Sequence, residues 1–332
     1  MKKHIYIYSP SGAVRDKAAF KRGVARLKSQ GHEVEVDPDA LTSFQRFAGD
    51  DATRLAAIHR AAASGADVAL ISRGGYGITR LLPGIQYKKV AKAIDKGMQF
   101  VGISDFTAFQ SAVLAKTGAI TWAGPALCEG FGVGGSPDLL TNAASKESAP
   151  DEIMQACFDD MLLGQGEGSG WRQNPEPKTN AIDSVVSTPL NKKVGASFLI
   201  NDSVLWGGNL TVLTSLLGTP YFPDVKGGIL FLEDVAEHPY RIERTLTQLL
   251  HAGVLARQKA IVLGQFTDYQ IIAHDRGFKL QSVVVWLRSK LKTPLLTNLP
   301  YGHIQTKVLL PVGAKVDLAV DGRDVLLLWG HL

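Results

Sequence analysis

Ser104 and Asp105 stand where an apolar run, Gln99-Phe-Val-Gly-Ile103, gives way at once to helical sequence from Phe106 to Lys116. A serine at an abrupt strand-to-helix junction projects from a tight turn, beside helix N-terminal N–H groups that favour developing negative charge. That is the mechanical logic of a nucleophile elbow, whose chemistry is acyl transfer. The run Gly102-Ile-Ser-Asp-Phe106 departs from the GxSxG form, because Phe106 occupies the second glycine position. On residue physics alone the plainer alternative is favoured, that Ser104 or Asp105 only N-caps the following helix.

Four other runs carry chemistry-bearing types. Arg73-Gly-Gly-Tyr-Gly77 has three glycines in five residues. Main-chain N–H groups in such a loop can approach a ligand closely, as an oxyanion donor or a phosphate cradle; the alternative is a permissive tight turn. Gly227-Gly-Ile-Leu-Phe-Leu-Glu-Asp234 is an apolar strand ending in two acids. Period two puts Ile229, Phe231 and Glu233 on one face and Leu230, Leu232 and Asp234 on the other. A carboxylate there is partly desolvated and wants a partner such as a histidine, or else it caps the helix that begins near Tyr240. His303 follows Pro300 and Gly302, which places it on a loop after a strand. Leu205-Trp-Gly-Gly-Asn-Leu210 either lines a pocket or is a simple glycine turn before a helical run. No HExxH or paired-ligand spacing occurs, so a metal site is unsupported.

These residues need elements to hold them. His4–Tyr8, 33–36, 67–72, 99–103 and 119–122 read as strands, and 16–30, 51–64, 87–96 and 106–116 as helices. That βαβα rhythm implies a parallel sheet covered by helices, with ligands at the carboxyl ends of the strands. Gly, Ser, Pro, Asn and Lys dominate 133–151 and 164–180, with a short helix over 151–163 between them. Strand-like runs then recur at 193–200, 229–232, 259–263, 294–296, 308–310 and 325–329, with helices at 240–252 and 277–291. The expected fold class is therefore α/β: an N-terminal parallel-sheet Rossmann-like sandwich, then a strand-rich α+β or mixed barrel-like C-terminal domain. The domain reading is 1–135, a connection at 136–184, and 185–332.

Composition narrows the function classes. The 332 residues are 45% apolar and 20% charged, with a net charge of +5 and no polybasic run interleaved with aromatics. Nucleic acid is thereby a poor partner, and a mildly positive field favours small acidic substrates. Cys128 and Cys157 sit in no CxxC pattern and read as reduced thiols. No signal-peptide h-region and no stretch of ~20 apolar residues is present, so the expectation is a cytoplasmic protein with no membrane partner.

Eight runs in order carry a resemblance over nearly the whole chain. They are Ser9-Pro-Ser-Gly12, Phe47-Ala-Gly-Asp-Asp-Ala-Thr-Arg54, Arg73-Gly-Gly-Tyr-Gly-Ile-Thr-Arg-Leu-Leu-Pro83, Gly102-Ile-Ser-Asp-Phe-Thr-Ala108, Gly124-Pro125, Trp206-Gly-Gly-Asn-Leu210, Ile229-Leu-Phe-Leu-Glu-Asp234 with Glu237-His-Pro-Tyr-Arg-Ile-Glu-Arg244, and Gly302-His303 with Leu310-Pro-Val-Gly313. So arranged, the chain resembles the LD-carboxypeptidase family, serine peptidases related to the microcin C immunity peptidase, and among them the murein tetrapeptide carboxypeptidases. The resemblance implies Ser104 as nucleophile, Glu233 as the acid and His303 as the base, in a cleft between two domains. It implies no cofactor and no metal, a homodimer, and release of the terminal D-alanine from a murein tetrapeptide by cutting an L,D bond. With that assignment, the N–H groups of Asp105 and Gly75 form the oxyanion hole. Arg73, Gly74, Tyr76, Trp206 and Asn209 become the substrate-binding set, and Arg80 and Arg241 further candidates for a terminal carboxylate. The rivals are an immunity-type peptidase acting on acyl-nucleotide or peptide amides, favoured by a base-stacking Trp171 or Trp206, and a non-catalytic ligand-binding protein. After His303 the chain reads Ile-Gln-Thr-Lys, where many members have Gly and Asn nearby, and the 133–192 stretch is long.

Overall fold

The computed structural model describes residues 2–134, 149–175 and 197–332. They divide into two compact units, each discontinuous in sequence: Met1–Gly166 with Gly218–Pro223 and Gln305–Val312, and Glu167–Leu217 with Asp224–Ile304 and Gly313–Leu332. Of the stretch read as a connection, 136–148 and 176–184 lie outside the described residues, as does 193–196 of the run expected as a strand.

The first unit runs β1 (His4–Tyr8), α1 (Lys17–Ser29), β2 (Glu33–Val36), α2 (Asp51–Ala63), β3 (Val68–Ile71), α3 (Tyr87–Asp95), β4 (Gln99–Gly102), α4 (Phe106–Thr117), β5 (Thr121–Ala123) and α5 (Glu152–Leu163). Strands β2, β1, β3, β4 and β5 are parallel in that order, and Leu310–Val312 adds an antiparallel strand at the β5 edge. The continuous apolar runs end up where such runs must: every residue of β3 is buried, as is all of β4 beyond Gln99. Helix boundaries follow local chemistry. Asp16 accepts hydrogen bonds from the N–H groups of Ala18 and Ala19 at 2.8 Å to start α1, and Gly31 ends it with φ +93°. The order 2-1-3-4-5 reverses direction between β1 and β3, which makes the loops after those strands the sheet's natural ligand position.

The second unit runs β6 (Gly168–Arg172), β7 (Phe198–Asn209), α6 (Leu210–Ser215), β8 (Ile229–Val235), α7 (Pro239–His251), β9 (Ala260–Thr267), α8 (Leu280–Lys290) and β10 (Leu295–Leu296); then, after β11 (Leu310–Val312, the first unit's edge strand), β12 (Lys315–Asp321) and β13 (Asp324–Leu328). The seven strands form one sheet in the order β10-β9-β8-β7-β12-β13-β6. β10, β9, β8 and β7 are parallel, and β7, β12, β13 and β6 antiparallel. The strand-rich α+β reading thus holds, whereas the barrel-like alternative does not. No ladder joins the edges β10 and β6; side chains link them instead, with the Trp171 indole N–H donating to the Thr297 carbonyl at 3.0 Å and the Asn298 amide to the Arg172 carbonyl at 2.8 Å. Leu205–Asn209 is not a turn but the buried end of β7. Gly207 is obligatory there, since a Cβ would lie 1.9 Å from the Phe231 carbonyl oxygen.

Candidate active site

In the first unit, Ser104 follows β4 with φ +67°, a left-handed conformation for a residue that carries a Cβ. That geometry costs on the order of 1–2 kcal/mol, so neighbouring contacts must enforce it. Gly74 presses on it from the next loop: a Cβ on Gly74 would lie 2.6 Å from the Ser104 Cβ and 2.8 Å from its Oγ. Only glycine allows the two loops to meet this closely. The missing second glycine of the elbow has its explanation beneath the turn. Phe106 is fully buried and stacks on Phe109 at 4.8 Å, and a Cβ on Gly102 would lie 2.6 Å from its ring. The glycine before the serine therefore makes room for the aromatic after it.

The helix-cap reading of Ser104 and Asp105 does not describe what is seen. Asp105 stands at the N-cap position of α4 but makes no side-chain cap bond. Its buried carboxylate reaches sideways instead, accepting from the Ser11 hydroxyl at 2.5 Å and the Ile78 N–H at 3.0 Å. One carboxylate thus ties together the loops after β1, β3 and β4. Burial raises its pKa, opposed by the bonds from Ser11, Ile78 and Gly77 and by the charge of Arg54. Among the described residues, the main-chain N–H groups of Asp105 and Gly75 find no acceptor, and the Ser104 hydroxyl makes no hydrogen bond within its unit.

The second unit holds a different device. Glu233 lies in β8 with no exposed surface. One carboxylate oxygen receives the His303 Nδ1 at 2.8 Å and the other the Asn209 amide at 3.2 Å. Donation of Nδ1–H to Glu233 fixes the tautomer in which Nε2 is the basic nitrogen. Glu233 does not cap α7, which is capped by His238 with Pro239 in its first turn. Two glycines lie beside the Glu233 Cβ, and backbone demands both: a Cβ on Gly264 would lie 2.5 Å from the Tyr301 carbonyl oxygen, and one on Gly302 2.9 Å from that of Gln265. The β8–β9 register slips by a residue between Leu232 and Asp234, and Asn209, opposite Glu233 on β7, reaches both acids. Asp234 takes further bonds from the Thr211 N–H and hydroxyl at 2.9 and 2.7 Å. Burial raises the Asp234 pKa, the Thr211 bond opposes this, and the charge of Glu233 adds to it. Burial, and then Glu233, also raises the phenol of Tyr301, whose ring stands edge-on to Phe231.

The expected substrate-binding residues fare unevenly. Trp206 is 1% exposed and donates its indole N–H to Gln258 at 3.0 Å, so it is core and not a platform for ligand. Trp171 is an edge-strand residue tied to Thr297. Asn209 is 4% exposed and spends its amide on Glu233 and Asp234. Arg73 is held inside its own unit, donating to the Ala13 carbonyl at 3.2 Å and facing Glu129 at 3.7 Å. Gly74 packs on Ser104, and Tyr76 is exposed. Arg80 pairs with Asp51 at 2.8 Å and Arg241 with Glu237 at 2.6 Å. Sequence reasoning missed the positioning roles of Ser11, Asn209 and Asp234: Asn209 was expected to bind substrate, and its amide is spent on Glu233 and Asp234 instead. Among the described residues no cluster of His, Cys, Asp or Glu is arranged to hold a metal ion.

A strained serine at a strand end and a buried Glu–His pair at another are features of many unrelated hydrolases, so kinship has to be established separately. Residues 5–124 match the LD-carboxypeptidase N-terminal domain and 202–318 the LD-carboxypeptidase C-terminal domain. The crystal structure of a muramoyltetrapeptide carboxypeptidase from Oxalobacter formigenes is 36% identical, with a TM-score of 0.80 and 98% of each chain covered. The murein tetrapeptide carboxypeptidase of Pseudomonas aeruginosa is 27% identical over 90% of this chain and 87% of its own. The microcin C7 self-immunity protein MccF of Escherichia coli is 26% identical over 76% of this chain and 71% of its own. By both halves of its sequence and by its fold, the chain belongs to the LD-carboxypeptidase family.

Proposed function

We propose that the chain is a serine carboxypeptidase that releases the terminal D-alanine of a murein tetrapeptide by hydrolysing an L,D-peptide bond, in the cytoplasm, as a homodimer and as part of cell-wall recycling. The observation that carries this reading is the Glu233–His303 pair: a fully buried carboxylate bonded to Nδ1 at 2.8 Å, on a loop that leaves the imidazole part exposed. The names of the relatives from Oxalobacter formigenes and Pseudomonas aeruginosa supply the substrate class.

In this reading His303 Nε2 takes the proton of Ser104 as its Oγ attacks the carbonyl carbon before D-alanine. Glu233 holds the ring orientation and stabilises the imidazolium. The oxyanion is received by the N–H groups of Asp105 and Gly75, whose orientation the Asp105 carboxylate and the Gly74 contact support; losing one such donor costs about 3 kcal/mol of barrier stabilisation. The imidazolium then gives its proton to the leaving amine, free D-alanine departs, and water repeats the sequence on the acyl-serine to release the shortened peptide. Ser104→Ala in purified protein tests it. D-alanine release from a defined tetrapeptide should vanish, and retained release would overturn the assignment. A serine-directed acylating probe, with the adduct located by mass spectrometry, should mark Ser104.

A further inference from the structure

An exopeptidase must distinguish a free terminal carboxylate from a peptide bond that continues. The arginines expected for that task, Arg73, Arg80 and Arg241, are engaged, and so is Arg54. Arg54 is wholly buried against Asp51, Arg73 faces Glu129, Arg80 pairs with Asp51, and Arg241 with Glu237. Arg46 is different. It is exposed, and among the described residues its guanidinium has no carboxylate partner. It lies 5.7 Å from the centroid of the Tyr76 ring, within cation–π range.

Its position is built rather than accidental. Phe44 and Phe47 exchange two main-chain hydrogen bonds, at 2.9 and 3.0 Å, around Gln45, which takes φ +54°. This tight loop is fastened to the segment after β1: the Arg46 carbonyl accepts from the Ala13 N–H, and the Ala48 N–H donates to the Ser11 carbonyl, both at 3.0 Å. Gly12 in turn donates to the Gly74 carbonyl at 3.3 Å, and Gly74 touches Ser104. The loops after β1, β3 and β4 belong to adjacent parallel strands, and the Arg46 segment is fastened to the first of them. The Arg46 guanidinium sits over the ring of Tyr76, a member of the glycine loop beside Ser104.

We propose that Arg46, seated on the exposed Tyr76 ring, binds the free terminal carboxylate of the substrate and so sets the carboxypeptidase specificity. A planar guanidinium with no internal acid to satisfy matches a carboxylate bidentately, and the ring beneath it restricts its rotamers without competing for its N–H groups. The role depends on the assignment of Ser104 as nucleophile made above.

The test compares two peptides, identical but for a C-terminal D-alanine acid or D-alanine amide, in wild type, Arg46→Gln and Arg46→Lys. The wild type should favour the acid. Arg46→Gln should lose about 10- to 100-fold in kcat/KM on the acid, mostly in KM, and bring the acid-to-amide ratio toward one. Arg46→Lys should recover part of the preference, since charge remains but the fork is lost. Calorimetric binding of both peptides to Ser104→Ala protein should give the same ordering without turnover. An unchanged acid-to-amide ratio in Arg46→Gln, or no preference for the acid in the wild type, overturns the proposal. Persistent D-alanine release by Ser104→Ala would instead remove the nucleophile assignment, and the binding comparison would still decide the role of Arg46.

Discussion

The Ser104 turn and the Glu233–His303 pair occupy equivalent places, the carboxyl ends of parallel strands, yet they are held by opposite means. Ser104 is held by backbone. A left-handed φ of +67°, a glycine pressed on its Cβ and a buried aromatic under the turn leave it no other conformation. His303 and Glu233 are held by side-chain hydrogen bonds, in a chain running from Thr211 through Asp234 and Asn209 to Glu233 and the imidazole. A hydroxyl nucleophile must be presented at a fixed point, which steric constraint does well. A base must keep one tautomer while its charge changes, which only a polar partner can ensure.

The comparison breaks most sharply at the atoms proposed to react. Ser104→Ala and His303→Ala should each lower kcat for D-alanine release by about 10⁴-fold or more, and combining them should cost little beyond either alone, because the proposed mechanism makes the two one catalytic unit. Glu233→Gln should preserve the fold and lower kcat by about 10⁴-fold, through the wrong imidazole tautomer. Steady-state kinetics with a defined tetrapeptide checks all three. An additive double mutant would mean that the two devices do not work on one bond.

The backbone device is tested by Gly74→Ala. The added methyl would lie 2.6 Å from the Ser104 Cβ, so the turn must shift. A misplacement of that order should cost about 10²-fold in kcat. Circular dichroism should remain that of the wild type, and labelling by a serine-directed probe should slow in parallel. The side-chain device is tested by Asn209→Ala. Removing one donor from the buried Glu233 should cost about 10-fold in kcat, with a smaller loss in KM. If Gly74→Ala proves milder than Asn209→Ala, the assignment of backbone control to one site and side-chain control to the other is reversed.

Most of the first unit was legible because each element carries its own signal. The apolar runs of β3 and β4 are continuous and each helix has a cap or a glycine stop, so the succession of elements and the parallel sheet followed from rhythm, while the strand order did not. The second unit was harder. The sequence Lys315-Val-Asp-Leu-Ala-Val-Asp321 alternates buried and exposed residues as β12, but its Lys, Ala and two Asp are residues of low strand propensity. Gly207 and Gly208 read as a turn because a glycine pair usually is one; here both lie inside a strand with positive φ, and at Gly207 the neighbour passes too close for any side chain. For the site, residue types suggested Ser104, Glu233 and His303, and the resemblance selected them. The bonds of Asn209, Asp234 and Ser11 span 24, 25 and 94 positions, and no local pattern encodes such pairings. Trp206 misled for the same reason: an aromatic beside glycines looks available until its indole is seen donating to Gln258.

The smallest effect probes the Ser104 side of the comparison, chiefly through the pH dependence of stability. Asp105 is an acid whose folded pKa is raised, chiefly by burial. The folded state therefore holds its proton to higher pH than the unfolded chain does, and stability falls as pH rises from the ordinary carboxyl value near 4 to the raised folded value. Asp234 has the same sign. Asp105→Asn removes one titrating group while keeping an oxygen that can accept from Ile78, and the Ser11 hydroxyl can turn to suit the amide. Urea unfolding at pH 4.5, 6 and 7.5 should show the variant losing less stability across that window than the wild type. Its kcat should fall by several-fold, because the loops after β1, β3 and β4 are then joined by neutral bonds instead of charge-assisted ones. A pH slope equal to that of the wild type would mean that the Asp105 carboxylate does not carry its charge into the folded protein's stability, and the tie between the Ser104 turn and the glycine loop would have to be purely steric.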